Sequence, residues 1–270
     1  MAKIKVPAPP VPGALAPTPK RPGKEYGPQT PAEHGHEGAS STIGWIDERT
    51  SLSGGARWMM FRKVPKGTNW FYTLGSATMF AFLSQAVTGV VLAMYYVPSA
   101  NGAYNSIRHI NNDVFLGEFV HGMHRWGSSV MVILVFLHMG RTFFFGAYKY
   151  PRELNWVIGV ALLILTMTMS FTGYLLPFDQ RSYWASVVGV NINGTGPLVG
   201  PYLSDFLRAG PDFGATTLSR FYAIHMMAVP GAIAALIGFH LYLVARLGTT
   251  APPWIRAKTP DALREDKVRA

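Results

Sequence analysis

The sequence predicts an all-α membrane protein whose ordered part is a bundle of four transmembrane helices. Hydrophobic residues make up 49% of its 270 residues, and the mean hydropathy is +0.17. Both values favour a polytopic membrane protein over a soluble domain. Charged residues are sparse in four apolar stretches, each of which reaches the ~20 residues that a helix needs to cross a bilayer. Lysine and arginine concentrate in the tails and in the connection between the second and third stretches, all on one predicted side of the membrane, as in membrane proteins of fixed topology.

The spans are bounded by charges. No charge lies between Thr68 and Ile107, from Leu154 to Phe178, or from Phe221 to Ala245. The second span contains GMHRWGSSVMVILVFLHMGR, in which fifteen uncharged residues separate two arginines. We therefore predict helices over about residues 70–96, 120–145, 154–178 and 218–247.

Composition and charge divide the rest of the chain. Pro, Ala and Gly dominate residues 1–43, which predicts a disordered tail. Residues 44–68 mix Trp, Met and Phe with charges, which predicts an interfacial amphipathic segment. The four-helix domain then occupies 69–248, and a second tail follows at 249–270. The tails, with the connection between the second and third spans, hold 19 Lys and Arg against five in the other two connections. The positive-inside rule therefore places both termini in the cytoplasm.

Charge and cysteine content exclude several function classes. The net charge of +10 would suit a nucleic-acid partner. Its position beside the spans explains it as a topology signal instead, so no nucleic acid is expected. The chain has no cysteine, which excludes disulfides, zinc–thiolate sites, iron–sulfur ligation and thioether-attached haem.

Four histidines lie in the second and fourth spans. His124 and His138 are fourteen residues apart, which is ~21 Å along a helix and ~40° around it. His225 and His240 are fifteen apart, ~22 Å along the helix and ~60° around it. If the two helices run side by side in one direction, the histidines face each other at two depths. Two facing imidazoles can ligate one haem iron, so two haems are predicted. His121 competes with His124, but lies ~100° off the face of His138.

Other readings of these histidines remain open. They could be hydrogen-bonded interior residues of a haem-free transporter, or a proton relay. Two pairs at matched depths are harder to explain in this way than one histidine, because an imidazole in lipid is costly without a partner. A single zinc ion is excluded, since ligands ~21 Å apart cannot share one metal.

Glycines repeat the histidine spacing. Gly75 and Gly89 in the first span are fourteen residues apart, and so are Gly159 and Gly173 in the third. Because glycine has no Cβ, a flat macrocycle can lie against its backbone. Either pair alone would also fit ordinary packing of membrane helices. The recurrence of one spacing on three spans predicts glycines at both haem levels.

Three arginines lie close to the predicted levels. Arg125 and Arg220 are near the outer pair, and Arg141 is one turn beyond the inner histidine His138. A haem carries two propionates, and arginine pairs with carboxylates in a bidentate manner. We therefore predict propionate contacts for all three, although arginines at span ends can also simply extend to the interface.

Together these residues resemble the cytochrome b/cytochrome b6 family of quinol:cytochrome c (or plastocyanin) reductases. The resemblance extends from about Trp45 to Gly248. The fifteen-residue separation in the fourth span is similar to the b6 type, and GMHRWG and GAYKYPRELNW are similar to bacterial menaquinol-oxidising members. The motifs that carry the resemblance are WIDER, NWFYTLG, MYYVP, GMHRWGSS, FLHMGR, GAYKYPRELNWVIGV, FTGYLLPFDQRSYWA and TLSRFYAIHMMAVP.

The resemblance implies a subunit of a proton-translocating oxidoreductase in a bacterial cell membrane or photosynthetic membrane. Two non-covalent b-type haems are implied, of low potential on His124 and His225 and of high potential on His138 and His240. Quinol, with menaquinol favoured, would be oxidised at the outer side. One electron would go to a Rieske iron–sulfur protein and on to a c-type cytochrome. The other would cross the haems to reduce quinone at the inner side.

The segment PFDQRSYWASVVGV follows the third span. In the family, the corresponding short helices wall the quinol-oxidation site. The resemblance therefore implies Tyr183, Trp184 and Val188 as lining residues, while an interfacial aromatic belt is the alternative. A homodimeric complex is implied in the same way.

Three departures from the family pattern matter. The family's Pro-Glu-Trp-Tyr loop and later helices are not in this sequence, so we expect a smaller subunit-IV-like protein to supply them. Thr73 stands where b6-type chains have the cysteine that attaches an extra c-type haem, so no covalent haem is expected. Many relatives have two adjacent basic residues after His240. Here Ala245 precedes Arg246, which is the candidate for the inner quinone site.

The nearest alternative function is a dihaem b anchor for a dehydrogenase or hydrogenase. Such an anchor shares the four helices and the histidines, but passes electrons between a bound enzyme and quinone. The PFDQRSYWA segment and the glycine spacing favour the reductase. Co-purification with a Rieske protein would distinguish the two functions.

Overall fold

The computed structural model describes residues 67–250 and 252–254, which are helical and contain no β-strand. The predictions for 1–43, for 44–66 and for most of 249–270 lie outside the described residues. A 3₁₀ turn at Trp70–Thr73 leads into the first helix. The elements that follow are α1 (Leu74–Ala93), α2 (Ala103–Asn112), α3 (Gly117–Phe144), α4 (Glu153–Tyr174), α5 (Gln180–Gly194), α6 (Gly200–Arg208), α7 (Ala215–Ala223), a π-helical turn (Ile224–Ala228) and α8 (Val229–Leu247).

Four of the described segments are long and apolar enough to cross a membrane. They are Trp70–Ala93, Gly117–Phe144, Glu153–Tyr174 and Ala215–Leu247. The all-α, four-span fold class is therefore confirmed.

Several predicted helix ends were wrong by three or four residues. The first span ends at Ala93 instead of 96, and the second and fourth begin at Gly117 and Ala215 instead of 120 and 218. The third ends at Tyr174 instead of 178. The third span ends early because of Pro177, since proline has no N–H to donate and disfavours helical backbone at the residue before it. Phe178 then adopts a positive φ of 50°, which turns the chain away.

The spans pack as two pairs. α1 lies along α3, and α4 lies along α8. Ala81 of α1 packs with Met131 and Val135 of α3 in one buried cluster, which Leu163 of α4 also contacts. In the described bundle, α3 and α8 make almost no close backbone contact. A gap therefore separates the two helices that carry the histidines.

A layer of short helices covers one end of the bundle, which we term the outer end. The connections after the first and third spans lie there. They are residues 94–116, which contain α2, and residues 175–214, which contain α5 and α6. Their apolar side chains share one buried cluster with the ends of the spans: Ala103, Leu175, Val190, Leu207, Leu218 and Phe221. The short connection 145–152 lies at the opposite, inner end.

A hydrogen bond at each end joins the two helix pairs. At the outer end the Tyr96 hydroxyl donates to the carbonyl oxygen of Leu176 at 2.6 Å. Burial raises the pKa of Tyr96, so the phenol stays protonated as this donor. At the inner end the indole Nε1 of Trp254 donates to the carbonyl oxygen of Gly67 at 3.3 Å. These two bonds link residues flanking α1 with residues that follow α4 and α8.

Arg152 also holds the inner end of α8. Its NH2 group donates to the Leu247 carbonyl at 3.1 Å, and its Nε donates to the Gly248 carbonyl at 3.3 Å. The last carbonyls of a helix have no partner within the helix and carry a partial negative charge. The Arg152 guanidinium satisfies both requirements at once.

Candidate cofactor site

The structure brings the four predicted histidines together in two facing pairs. At the outer level the ring centroids of His124 and His225 are 6.3 Å apart, with 78° between the ring planes. At the inner level those of His138 and His240 are 6.4 Å apart, also at 78°. Two pairs with nearly equal geometry at two depths point to two sites of one kind.

The separation of each pair fits one metal ion between the rings. A metal–imidazole bond is about 2.0–2.1 Å, and the ring centre lies about 1.2 Å beyond the nitrogen, so two imidazoles on opposite sides of one ion would have centroids about 6.4–6.6 Å apart, close to the separations in both pairs. Two pairs of rings in van der Waals contact alone would have no reason to share this separation. A planar group around that ion would lie in the gap between α3 and α8, which make almost no close backbone contact. The residues present therefore fit a bis-histidine haem at each level.

A π-helical turn explains why fifteen residues on the fourth span match fourteen on the second. The N–H of Val229 donates to the carbonyl oxygen of Ile224, five residues earlier. Such a turn takes one more residue than an α-turn. Pro230, which cannot donate an N–H, follows at once and favours the irregular bonding. The π-helical turn accommodates the fifteenth residue and so offsets the ~60° that fifteen residues of regular helix would place between the histidines. His225 and His240 therefore lie on the same face of the span.

Threonine hydroxyls contact both outer histidines. Thr88 Oγ1 of α1 lies 2.9 Å from His124 Nδ1, and Thr172 Oγ1 of α4 lies 3.2 Å from His225 Nδ1. The backbone carbonyl of Met169 lies 3.1 Å from the same His225 nitrogen. These contacts engage Nδ1 of each ring and leave Nε2 for the gap.

Each predicted glycine lies against one of the four histidines. A Cβ built on Gly75 would be 3.1 Å from Cε1 of His138, and one on Gly89 would be 3.2 Å from Cε1 of His124. For Gly173 and His225 the distance is 2.5 Å, and for Gly159 and His240 it is 4.0 Å. The glycines thus admit the imidazole rings themselves. Their contact with a haem remains a prediction.

The inner level holds buried polar atoms that have no hydrogen-bond partner among the described residues. They include the hydroxyl of Tyr72, Nε of Arg141, Oδ1 of Asn155, and Nδ1 of both His138 and His240. The Arg141 guanidinium carbon lies 5.0 Å above the Tyr72 ring. Burying such groups without partners is costly. Their concentration at this level therefore points to a polar ligand here.

His121 does not enter either pair. Its Nδ1 lies 2.8 Å from Oδ1 of Asn111, on the helical layer that covers the outer end. His124, one turn further along α3, is the residue that faces His225. Its role as a haem ligand, in preference to His121, stays a prediction.

The remaining predicted cations lie at the bundle's rims. Arg220 donates to the carbonyl oxygen of Phe206 and lies over its ring at 5.0 Å. Arg125 is exposed next to His124, and Arg246 is exposed in the last turn of α8. None of these placements brings an arginine onto a histidine ring. Their predicted propionate and quinone contacts stay predictions.

The three predicted quinol-site residues occupy α5 in different settings. The Tyr183 hydroxyl donates to the carbonyl oxygen of Phe213 at 2.9 Å, so it ties α5 to the loop before α7. Trp184 and Val188 are one turn apart and 59% and 56% exposed. They form an apolar strip on the outer layer that a partner or ligand could cover.

Sequence reasoning missed four polar residues at the two histidine levels: Thr88 and Thr172 at the outer level, and Tyr72 and Asn155 at the inner level. The two threonines directly precede predicted glycines, in VTGVV and FTGYL. That repeated Thr-Gly dipeptide was a readable signal. Tyr72 and Asn155 carried none, because their proximity to the inner level depends on how the helix pairs meet.

Four membrane helices that bring histidines together at two depths define the class of membrane-embedded b-type cytochromes. The chain belongs to the cytochrome b/b6 family, since the family model described as Cytochrome b/b6/petB matches residues 59–248.

Individual relatives agree with this family. The chain is 42% identical over 212 residues to cytochrome b6 of Heliobacterium modesticaldum, covering 78% of this chain and 100% of that one. It is 39% identical over 216 residues to the menaquinol:cytochrome c reductase cytochrome b subunit of Geobacillus thermodenitrificans, covering 77% and 96%. A solved hyperthermophilic respiratory Complex III superposes with a TM-score of 0.72 at 29% identity. That match covers 84% of this chain, which spans 63% of the solved chain. The chain is therefore a cytochrome b/b6-type subunit of a membrane electron-transfer complex.

Proposed function

We propose that this chain carries electrons across the membrane within a quinol:cytochrome c (or plastocyanin) reductase, from a quinol-oxidation site at the outer end to a quinone-reduction site at the inner end. The observation that carries the proposal is the pair of facing histidines at each of two depths, with centroids 6.3 and 6.4 Å apart. The two levels are ~21 Å apart along α3, which covers most of the hydrocarbon thickness.

His124 and His225 would hold the outer haem, and His138 and His240 the inner one. Each bound b-type haem supplies a one-electron couple of its iron. The chain's own part is to fix the imidazoles in line and to exclude water between the helix pairs. Gly75, Gly89, Gly159 and Gly173 let the helices approach closely enough for this. Thr73 offers no thiol, so we propose no covalent c-type haem.

The outer end would form one wall of the quinol-oxidation site. Trp184 and Val188 present the exposed apolar strip on α5, and Tyr183 holds that helix in place through Phe213. We propose that a smaller subunit-IV-like protein completes the site and that a Rieske iron–sulfur protein docks beside it. A c-type cytochrome would accept electrons from the Rieske protein.

The inner end would bind quinone, with menaquinone favoured. Support comes from the polar atoms of Tyr72 and Asn155 that lack partners within the described chain. A quinone needs hydrogen-bond donors at its carbonyl oxygens, and the Tyr72 hydroxyl can supply one. Arg246 is a further candidate at this rim. Quinol oxidation at one side and quinone reduction at the other would release and take up protons on opposite sides, which is how electron transfer would be coupled to proton translocation.

Arginines near each level would neutralise the haem propionates. Arg141 is the strongest candidate, because its Nε is buried without a partner among the described residues. Arg125 and Arg220 would serve the outer level. For Arg220 this requires a change from its contact with Phe206. Both termini would be cytoplasmic, and the complex would be a homodimer, as the resemblance implies.

Single histidine substitutions test this function. His225→Ala or His138→Ala should each remove one haem, leaving about half of the b-type absorbance per chain in a pyridine haemochrome assay. His121→Ala is the matched control and should retain both haems, because that ring bonds to Asn111. Full haem content in both test variants would disprove the ligand assignment.

A further inference from the structure

The two histidine levels differ in one respect that their equal ring geometry conceals. The residue before each outer glycine is a threonine, Thr88 before Gly89 and Thr172 before Gly173. The residue before each inner glycine is aliphatic, Leu74 before Gly75 and Ile158 before Gly159. All four of these preceding side chains are buried, with at most 7% exposure. The difference therefore lies at equivalent interior positions.

The threonine hydroxyls can only accept from the histidines. Thr88 Oγ1 donates its proton to the Ser84 carbonyl at 2.7 Å, and Thr172 Oγ1 donates to the Thr168 carbonyl at 2.9 Å. With that proton committed, the oxygen accepts from Nδ1–H of His124 or His225. The outer imidazoles are thereby fixed in the Nδ1–H tautomer, with the Nε2 lone pair free for a metal.

No side-chain oxygen of the described residues accepts a hydrogen bond from Nδ1 of an inner imidazole. The backbone of Asn155 approaches the His240 ring, yet Nδ1 of His240 and Nδ1 of His138 complete no hydrogen bond within the described residues. The structure thus holds both outer rings by a side-chain oxygen and neither inner ring by one.

This difference changes the electron donation of the ligands. A hydrogen bond from Nδ1–H to an acceptor makes the imidazole more basic and a stronger donor through Nε2. A stronger donor stabilises the oxidised iron more than the reduced iron, and so lowers the reduction potential.

We propose that Thr88 and Thr172 set the order of the two potentials: their hydroxyls lower the potential of the outer haem relative to the inner one. This inference rests on the proposed haem ligation and names the residues that tune it. Electron transfer from the outer to the inner level would then be downhill. The threonines are positioning residues, because they touch the ligands and not the iron.

Redox titration of the b-type absorbance in the assembled complex tests the proposal. Thr88→Val and Thr172→Val keep the side-chain shape and remove the acceptor. Each should raise the lower-potential component, with a threefold to tenfold change in its reduced-to-oxidised ratio, or about 30–60 mV at 59 mV per tenfold change. The higher-potential component should not move. Thr88→Ser and Thr172→Ser keep the hydroxyl and should restore the original value.

The reverse substitutions provide a second, independent readout. Leu74→Thr, before the Gly75 that lies against His138, or Ile158→Thr, before the Gly159 that lies against His240, should lower the higher-potential component and leave the lower one in place. These variants decide the matter if a valine variant fails to assemble.

The possible failures are distinguishable. If redox titration of the complex with the unsubstituted chain does not resolve two b-type components, the proposed function fails. If two components are present but valine leaves the lower one unchanged, moves the higher one, or moves both equally, the role of the threonines is disproved. The same holds if serine fails to reverse the shift caused by valine.

Discussion

Each histidine of the two levels lies against one glycine of the neighbouring helix, and the fit is tightest at Gly173. A Cβ there would lie 2.5 Å from Cε1 of His225 and 3.1 Å from its Nδ1. Because His225 is buried and Thr172 and Met169 already engage its Nδ1, the ring has little room to move. The smallest possible side chain at this position would displace the ring.

We therefore expect Gly173→Ala to reduce occupancy of the outer haem selectively. Overpacking of this kind costs about 1–3 kcal/mol, which here would fall on the His225 ring. The measurement is b-type haem per chain, combined with the redox titration that separates the two components. Gly238→Ala is the control, since a Cβ there meets no described atom within 4 Å although His240 is two residues away. Equal haem loss in both variants would contradict the expectation.

At this scale, periodicity predicted which residues meet but not what surrounds them. The fourteen-residue steps of histidine and glycine identified both levels, because residues on one helix face recur with the helical period. The repeated Thr-Gly dipeptide marked Thr88 and Thr172, but their bond to a carbonyl of the preceding turn is one that ordinary membrane threonines also make. Their second contact, to a ring on another helix, depends on the packing of the pairs.

Among the elements, the π-helical turn at Ile224–Ala228 sets the register of the fourth span. On a uniform helix, His225 and His240 would lie ~60° apart around the axis. The structure removes this discrepancy with one extra residue in one turn. The signal was present as the difference between fifteen and fourteen residues, together with Pro230. Such turns are rare, so a uniform helix was the reasonable expectation.

Deleting Met227 should convert the π-helical turn to a regular one without loss of either haem. Met227 is 75% exposed, so its removal leaves the interior of the bundle unchanged. The remaining fourteen-residue spacing would equal that of α3. Inserting one alanine after Ala234 gives sixteen residues, which adds ~100° of rotation and should remove one haem.

Haem content per chain distinguishes the two cases. Loss of a haem in the deletion variant would mean that the π-helical turn does more than adjust the register. Retention of both haems in the insertion variant would mean that the helix can absorb a further residue.

For the whole molecule, the sequence predicted the spans well and the outer layer poorly. Long apolar stretches leave few alternatives to a membrane helix. The helices α2, α5 and α6 are short and partly polar, and their burial arises from contacts with the ends of the spans. Such contacts are long-range and cannot be read from local periodicity. The structure also brings Gly67 and Trp254 together, so both ends of the described chain lie on one side of the bundle.

The membrane orientation can be tested with single cysteines, because the chain has none of its own. Asn112→Cys lies on the outer layer and Thr249→Cys on the inner rim, and both positions are exposed. If the positive flanks are cytoplasmic, a membrane-impermeant maleimide should label Asn112→Cys in intact cells. It should label Thr249→Cys only after lysis, and the opposite pattern would reverse the orientation.

The hydrogen bonds Tyr96–Leu176 and Trp254–Gly67 should affect how tightly the protein holds haem. One hydrogen bond at each rim joins the two helix pairs across the gap between α3 and α8, and neither involves a prosthetic group. The imidazoles are thus preorganised, so insertion of the porphyrin need not order the polypeptide around it. Weakening either tie should show as faster escape of haem to an external scavenger, with the absorption spectrum of the bound fraction unaltered.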